Sequence, residues 1–365
     1  MKSIFRFAIA VICVLAFVGS IATAQDLQQQ LAKLGHDAAV GYISPILSGW
    51  GNDLNSAIYY SADLHDVLGF DVGVKFAMSK FTDADKTYSL SIPSMSVDPS
   101  VLGISSVFIA GVGNVPIPTG TKLILTSGVN YPSSITANSA VGSKDETIVN
   151  TVGGSTAVIS STNPTLNGLH IALPSTAQQI LALPGGFDIG SMGVPLAMPQ
   201  LDLGLPFGLE VMLRYVPTIK TGDVGKFNYM GFGVRYSISQ WLPLFPVDIA
   251  AHFMTQKMNF KSTTDADIFS AKATAFGVEV SKKLFILTLY GGFQIESSTL
   301  TLADFQGYSP ELGQTVTVPG FEVKGTDKSR FTVGARLLLL FINVHAEYSV
   351  AKNPVIALGV GISLR

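Results

Sequence analysis

The sequence of 365 residues predicts an all-β fold. The expected form is a transmembrane antiparallel β-barrel of about twelve to fourteen strands with a short N-terminal helical plug or leader. Three observations predict it. Residues 354–365 alternate strictly, with Ile356, Leu358, Val360, Ile362 and Leu364 against Ala357, Gly359, Gly361 and Ser363. Successive side chains of a strand point to opposite faces, so one face is apolar throughout and the other small. The chain is hydrophobic, with mean hydropathy +0.41 and 13% charged residues, about half the charge of a soluble domain. Beyond residue 24 no run of ~20 apolar residues offers a spanning helix. A chain that enters lipid without such a helix satisfies its backbone by closing a barrel.

The first element is a secretory signal peptide over 1–24. Lys2 and Arg6 precede an apolar run from Phe7 to Val18, and Ala22-Thr23-Ala24 is an A-x-A cleavage site. The expected destination is the bacterial outer membrane. Cys13, the single cysteine, lies inside the signal. The exported chain then has neither disulfides nor thiolate metal ligands. The formal charge of −2 becomes more negative once Lys2 and Arg6 are removed. That argues against a nucleic-acid binder, which carries a basic stripe.

Residues 25–62 read as a helical plug or leader. Leu27, Leu31 and Leu34 share one helical face. Pro45 and Gly49-Trp50-Gly51 break the pattern, and a second helical turn is expected near Leu54 to Tyr60. The segment is either a periplasmic leader or a plug folded into the barrel.

The barrel is expected from residue 63 to the end. Phe70, Val72, Val74, Phe76 and Met78 alternate with Asp71, Gly73, Lys75, Ala77 and Ser79, and Tyr88, Leu90 and Ile92 read as the return strand of a hairpin. Residues 93–208 hold eleven of the eighteen prolines and only seven charged residues. So much proline breaks helices and central strands. Long rim loops with a few barrel strands threaded among them are expected there, the alternative being a separate small β domain. Regular alternation returns at Leu209 and continues through 215, 230–238, 247–253, 285–295 and 331–348. Over 266–281 the opposite parities of Phe269 and Phe276 suggest a bulge. Leu337 to Ile342 changes parity without a turn residue; a tight apolar turn is expected there, the alternative being a bulged long strand.

The second face of these strands carries Asp71, Lys75, Glu210, Arg214, Arg235, Asp248, His252, Arg336, His345 and Glu347. An Arg or Lys at the lipid midplane costs ~2–4 kcal/mol, so these ten residues are the candidates to line the lumen.

The stretches Tyr42-Ile43-Ser44-Pro45, Gly51-Asn52-Asp53-Leu54-Asn55-Ser56, Leu68-Gly69-Phe70-Asp71, Met198-Pro199-Gln200-Leu201, Leu205-Pro206-Phe207-Gly208 and Gly359-Val360-Gly361-Ile362-Ser363-Leu364-Arg365 resemble an uncharacterised family of bacterial outer-membrane β-barrel proteins. That family carries a domain of unknown function, so the resemblance implies a fold and a location but no activity. In layout the chain is also loosely similar to the long-chain fatty-acid transporter barrels, which begin with an N-terminal plug. It departs from most outer-membrane barrels in ending Leu364-Arg365 rather than on Phe or Trp.

No phosphate loop, dinucleotide fingerprint or zinc spacing is present, so no cofactor or metal is expected. His345 and Glu347 share a strand face as a general base would require, although a polar lumen explains them equally, and no enzyme is expected. The expected role is a passive channel or transporter, porin-like, for small hydrophobic or amphipathic molecules, with the apolar stretch 181–205 as ligand-contacting loop. The alternatives are a surface scaffold or adhesin held by the barrel and, further off, an outer-membrane hydrolase. Expected partners are outer-membrane lipid, the barrel-assembly machinery and a small hydrophobic ligand.

Overall fold

A computed structural model describes residues 36–188, 193, 195–220, 225–242, 244–309 and 314–364. The expected signal peptide and the Leu27–Leu34 repeat lie outside them. The chain divides into two units, Ala84–Asp188 and the remainder.

The larger unit is a closed all-β barrel with one N-terminal helix, α1 (His36–Leu54). Its strands are β1 (Phe70–Ser79), β2 (Leu196–Leu205), β3 (Leu209–Lys220), β4 (Lys226–Ser237), β5 (Asp248–Lys261), β6 (Asp267–Leu284), β7 (Leu287–Leu302), β8 (Phe321–Lys324), β9 (Ser329–Leu339), β10 (Ile342–Val350) and β11 (Val355–Leu364). Each of β1 to β7 pairs antiparallel with the next; β7 then pairs with β9, β9 with β10 and β10 with β11. The terminal strand β11 closes the ring on β1, in register from Phe70↔Leu364 to Ser79↔Val355. Short β8 pairs with the far end of β7, which β9 does not reach.

The ring thus has ten strands among the described residues, fewer than the sequence suggests. The strands expected within 93–208 are the reason: apart from β2, they pair with one another in the second unit. There His170–Ala172, Thr156–Ser160, Lys122–Leu125 and Met95–Val97 form one sheet. Leu102, Leu123, Leu125, Tyr131, Ile159 and Leu166 are buried in a core of its own. The expected hairpin of β1 with 88–92 is also absent. Both edges of β1 are taken by β2 and β11, and Thr87–Ser91 pairs with Ser134–Asn138.

Alternation runs round the ring as expected. Phe232, Phe253, Phe276, Phe293, Phe331 and Leu358 are exposed on the outside, while Glu210, Arg214, Glu279 and Arg330 are buried inside. No bulge interrupts β6 between Phe269 and Ser281, because Phe269 points in and Phe276 out. At one end the strands join through the turns 206–208, 238–247, 285–286 and 340–341; the stretches of sequence that join strands at the other end include the two longest, 80–195 and 303–328. The tight apolar turn expected between Leu337 and Ile342 is present, with Leu340 at φ 56°.

Helix α1 continues through Pro45 and Gly49-Trp50-Gly51, where the sequence suggests a break. Two glycines in a helix interior cost ~1 kcal/mol each, but wall contact requires one of them. A Cβ on Gly51 would stand 2.2 Å from Ser298 Oγ of β7. Trp50 stacks on inward-facing Phe269, with ring centroids 5.1 Å apart. Burial against the wall overrides propensity. The helix stops at Leu54, and the helical turn expected near 54–60 is not formed.

Candidate functional site

The interior of the ring is occupied by the chain that precedes it. Helix α1 enters at the long-connection end, where the Gly49 carbonyl accepts from Ser79 Oγ (3.0 Å). Residues 55–69 then run to the short-turn end, where His65 meets Glu210 and Ser363 and β1 begins. This stretch has no regular structure. Its backbone groups still require partners away from water, and the wall supplies them from side chains.

Arg214 is the largest contributor. Its guanidinium donates to the carbonyls of Leu54, Ser56 and Ala57 (2.8 Å each) and to the side-chain oxygens of Gln200 (2.7 Å) and Gln256 (2.9 Å). Every one of these acceptors is neutral. Gln256 also donates to Leu54 O (2.7 Å), and Gln294 to Asn55 O (2.9 Å). Lys75 and Gln200 both reach Ile58 O at 3.1 Å. Glu347 accepts from the Ala57 N–H (2.8 Å), Ser281 from Ala62 N–H (2.9 Å) and Glu210 from His65 N–H (3.1 Å). Small residues let the chain sit this close. A Cβ on Gly292 of the wall would stand 2.3 Å from Tyr59 Oη.

Two ion-pair groups accompany these bonds. Arg235 donates to Glu210 (2.7 Å) and Glu279 (2.9 Å), and to the Ser61 carbonyl. His252 Nδ1 lies 2.5 Å from Glu279, and His65 Nδ1 2.7 Å from Glu210. Arg330 pairs with Glu296 (2.6 Å) and donates to Asn52 O (3.0 Å) and Ser56 Oγ. Buried charges are tolerated where paired and hydrogen-bonded, and these are.

Of the ten residues named from the sequence, nine are buried within the ring and Asp248 is half-buried at its short-turn end. Arg336 lies over the Tyr60 ring at 4.6 Å and donates to Asn343, which in turn donates to Asp71 (2.8 Å). His345 and Glu347 do not bond to each other. His345 packs against Tyr60 (5.1 Å) with neither ring nitrogen bonded, while Glu347 takes the Ala57 N–H. Asp248 and His252 are likewise apart, since His252 goes to Glu279. The sequence reading missed Gln200, Gln256, Glu279, Gln294, Glu296 and Arg330. Parity with flanking Ile295 and Phe331 marks Glu296 and Arg330 as inward, and the supposed bulge hid Glu279. Among the described residues no group of His, Cys, Asp and Glu could hold a metal ion, and no helix is long and apolar enough to cross a membrane.

Fold and interior together define the class: a closed antiparallel β-barrel filled by its own N-terminal segment. More particularly, the chain belongs to a family of unknown function, DUF6588, whose model matches residues 1–364. No curated protein matches it. Among solved structures it is similar to OmpT, an outer membrane protein of Vibrio cholerae, in its trimer form (11% identity, 80% of this chain, 98% of that one, TM-score 0.23). It is similar also to the β domain of the Bordetella autotransporter BrkA (8% identity, 81% and 100%, TM-score 0.27). A third is OmpF of Salmonella typhi, in complex with daunomycin (10% identity, 81% and 97%, TM-score 0.21). Values this low leave the fold to be argued from the chain's own strands.

Proposed function

We propose that the protein is an outer-membrane β-barrel that its N-terminal segment closes as a plug, and that it passes small amphipathic solutes when the plug moves. The membrane part of this reading is supported by the outward belt and by the turns. Leu68, Phe207, Phe285 and Leu340 have φ between 56° and 68°, a conformation that favours Gly or Asn and costs a bulky residue of order 1 kcal/mol or more. They are 74%, 85%, 90% and 92% exposed. Strained apolar tips at the short-turn end continue the apolar belt, which suits immersion in the near leaflet. Strands of nine or more residues are long enough to span at a tilt.

The observation that carries the gating part is the chemistry of the seal. The wall holds residues 52–65 largely through hydrogen bonds to backbone carbonyls, contacts that water can replace. Withdrawal of the plug leaves a lumen lined by Arg214, Arg235, Arg330, Glu279 and Glu296, hydrated and charged in both signs. That wall favours amphipathic or polar solutes over purely hydrophobic ones. Within the apolar stretch 181–205, Leu181–Leu183 pairs with Thr147–Val149 and β2 belongs to the ring, so these described parts are strand rather than loop.

A tether tests the reading. A Cβ on Gly49 would lie 3.8 Å from Ser79 Cβ, the ordinary spacing across a disulfide. Oxidised G49C/S79C in proteoliposomes should block entry of a small amphipathic dye, and reduction should restore it. Equal entry in both states would overturn gating. No entry in either would favour the second reading, a barrel that anchors the separately cored unit Ala84–Asp188 as a surface scaffold.

A further inference from the structure

Outward-facing charge is confined to one sector of the wall. On β1, β2, β9, β10 and β11 no outward side chain is charged. On β5 and β6, Lys257 and Lys272 stand directly opposite each other with both side chains exposed. Lys324 of β8 lies across from Thr299, which is itself the partner of Lys272. Like charges opposed across a ladder repel. Lys226 and Lys261, nearer the strand ends, are neutralised by Asp265 (2.6 Å) and Asp267 (3.2 Å). Lys257 and Lys272 have no acidic partner among the described residues.

Beside Lys257 the wall has a depression of about 380 Å³, its lining including Lys257, Asn259, Lys261, Asp267, Ser270 and Thr301; Lys272 borders it from outside that lining, across the ladder from Lys257. Its one lining carboxylate, Asp267, is already paired with Lys261, and Glu322 of β8 beside it accepts from Thr301 (3.4 Å). Moving toward the short-turn end, the next outward pair is Thr255 opposite Thr274, and the next is Phe253 opposite Phe276. Each step is ~7 Å along the strand. The order ammonium, hydroxyl, aromatic is the order in which a lipid presents phosphate, ester or sugar, and acyl chain. An anion beside the two ammonium groups lowers their repulsion, and the Asn259 and Ser270 side chains can donate to phosphate oxygens.

We propose that this depression binds the phosphate head group of a lipid in the leaflet at the long-connection end, with Lys257 and Lys272 as its counter-charges. The assignment rests on the membrane reading above. The probe is fluorescent diphosphoryl lipid A in phosphatidylcholine vesicles carrying the full mature protein, with a gel shift on boiling to report a folded barrel. The wild type should hold the probe, and K257Q/K272Q should hold it about thirtyfold more weakly. K257R/K272R should retain it, since charge rather than shape is recognised. Excess inorganic phosphate should displace little, because the Thr and Phe rows contribute to holding a lipid. A folded, inserted K257Q/K272Q with unchanged retention would overturn this assignment alone, as would full displacement by inorganic phosphate. Failure of the wild type to insert at all would overturn the membrane reading and this one with it.

Discussion

Replacing Arg214 by Met removes the wall's principal hold on the plug while keeping most of the side-chain volume. Leu54 O keeps a donor from Gln256. The carbonyls of Ser56 and Ala57, bound by Arg214 at 2.8 Å, lose theirs. An orphaned buried polar group costs ~1–3 kcal/mol, so the two together amount to about 2–6 kcal/mol against the seated plug. The true cost falls toward the lower end if water enters. A shift of ~3 kcal/mol raises the unseated population more than a hundredfold. The assay is single-channel recording in a planar bilayer, paired with the boiling gel shift to establish that the ring is intact. R214M should open often where the wild type opens rarely, with the ring unaffected. A folded R214M barrel with wild-type opening frequency would refute the argument that carbonyl contacts seat the plug.

Three further outcomes follow from the same geometry. Glu279→Gln leaves Arg235 with one carboxylate and His252 with none, so the urea-unfolding midpoint in micelles should fall by the equivalent of ~3 kcal/mol; an unchanged midpoint would mean the network is not stabilising. Gly51→Ala drives a methyl into Ser298 and should destabilise by ~1–3 kcal/mol. Adding Ser298→Gly should recover most of that loss, and strict additivity of the two changes would sink the proposed contact. Leu340→Asn suits the positive φ at this turn and should raise stability in micelles by up to ~1 kcal/mol while slowing insertion into vesicles. Faster or unaltered insertion would argue against immersion of the turn tips.

Much of the ring was legible in the chain. A period of two with one face wholly apolar dictates a strand with that face in oil or core, and Val355–Leu364 could be read as such without any partner. The same parity placed nine buried residues on the inner wall. Parity is a local property, and it fixes a face but not a neighbour. Only the tertiary structure decided that β1 pairs with β2 and β11, because closure chooses among strands of equal greasiness. It also decided that most of the proline-rich stretch folds on a core of its own. The interior is the clearest case. Arg214 reads as a polar residue facing water in the sequence, and in the fold its guanidinium takes three carbonyls from residues more than 150 positions earlier. The helix shows the same limit: Pro45 and two glycines argue for a break, and close packing against Ser298 and Phe269 keeps the turns continuous. Hydrophobic pattern sets which side of a strand faces out, whereas partners for buried polar groups are settled only when distant parts of the chain meet.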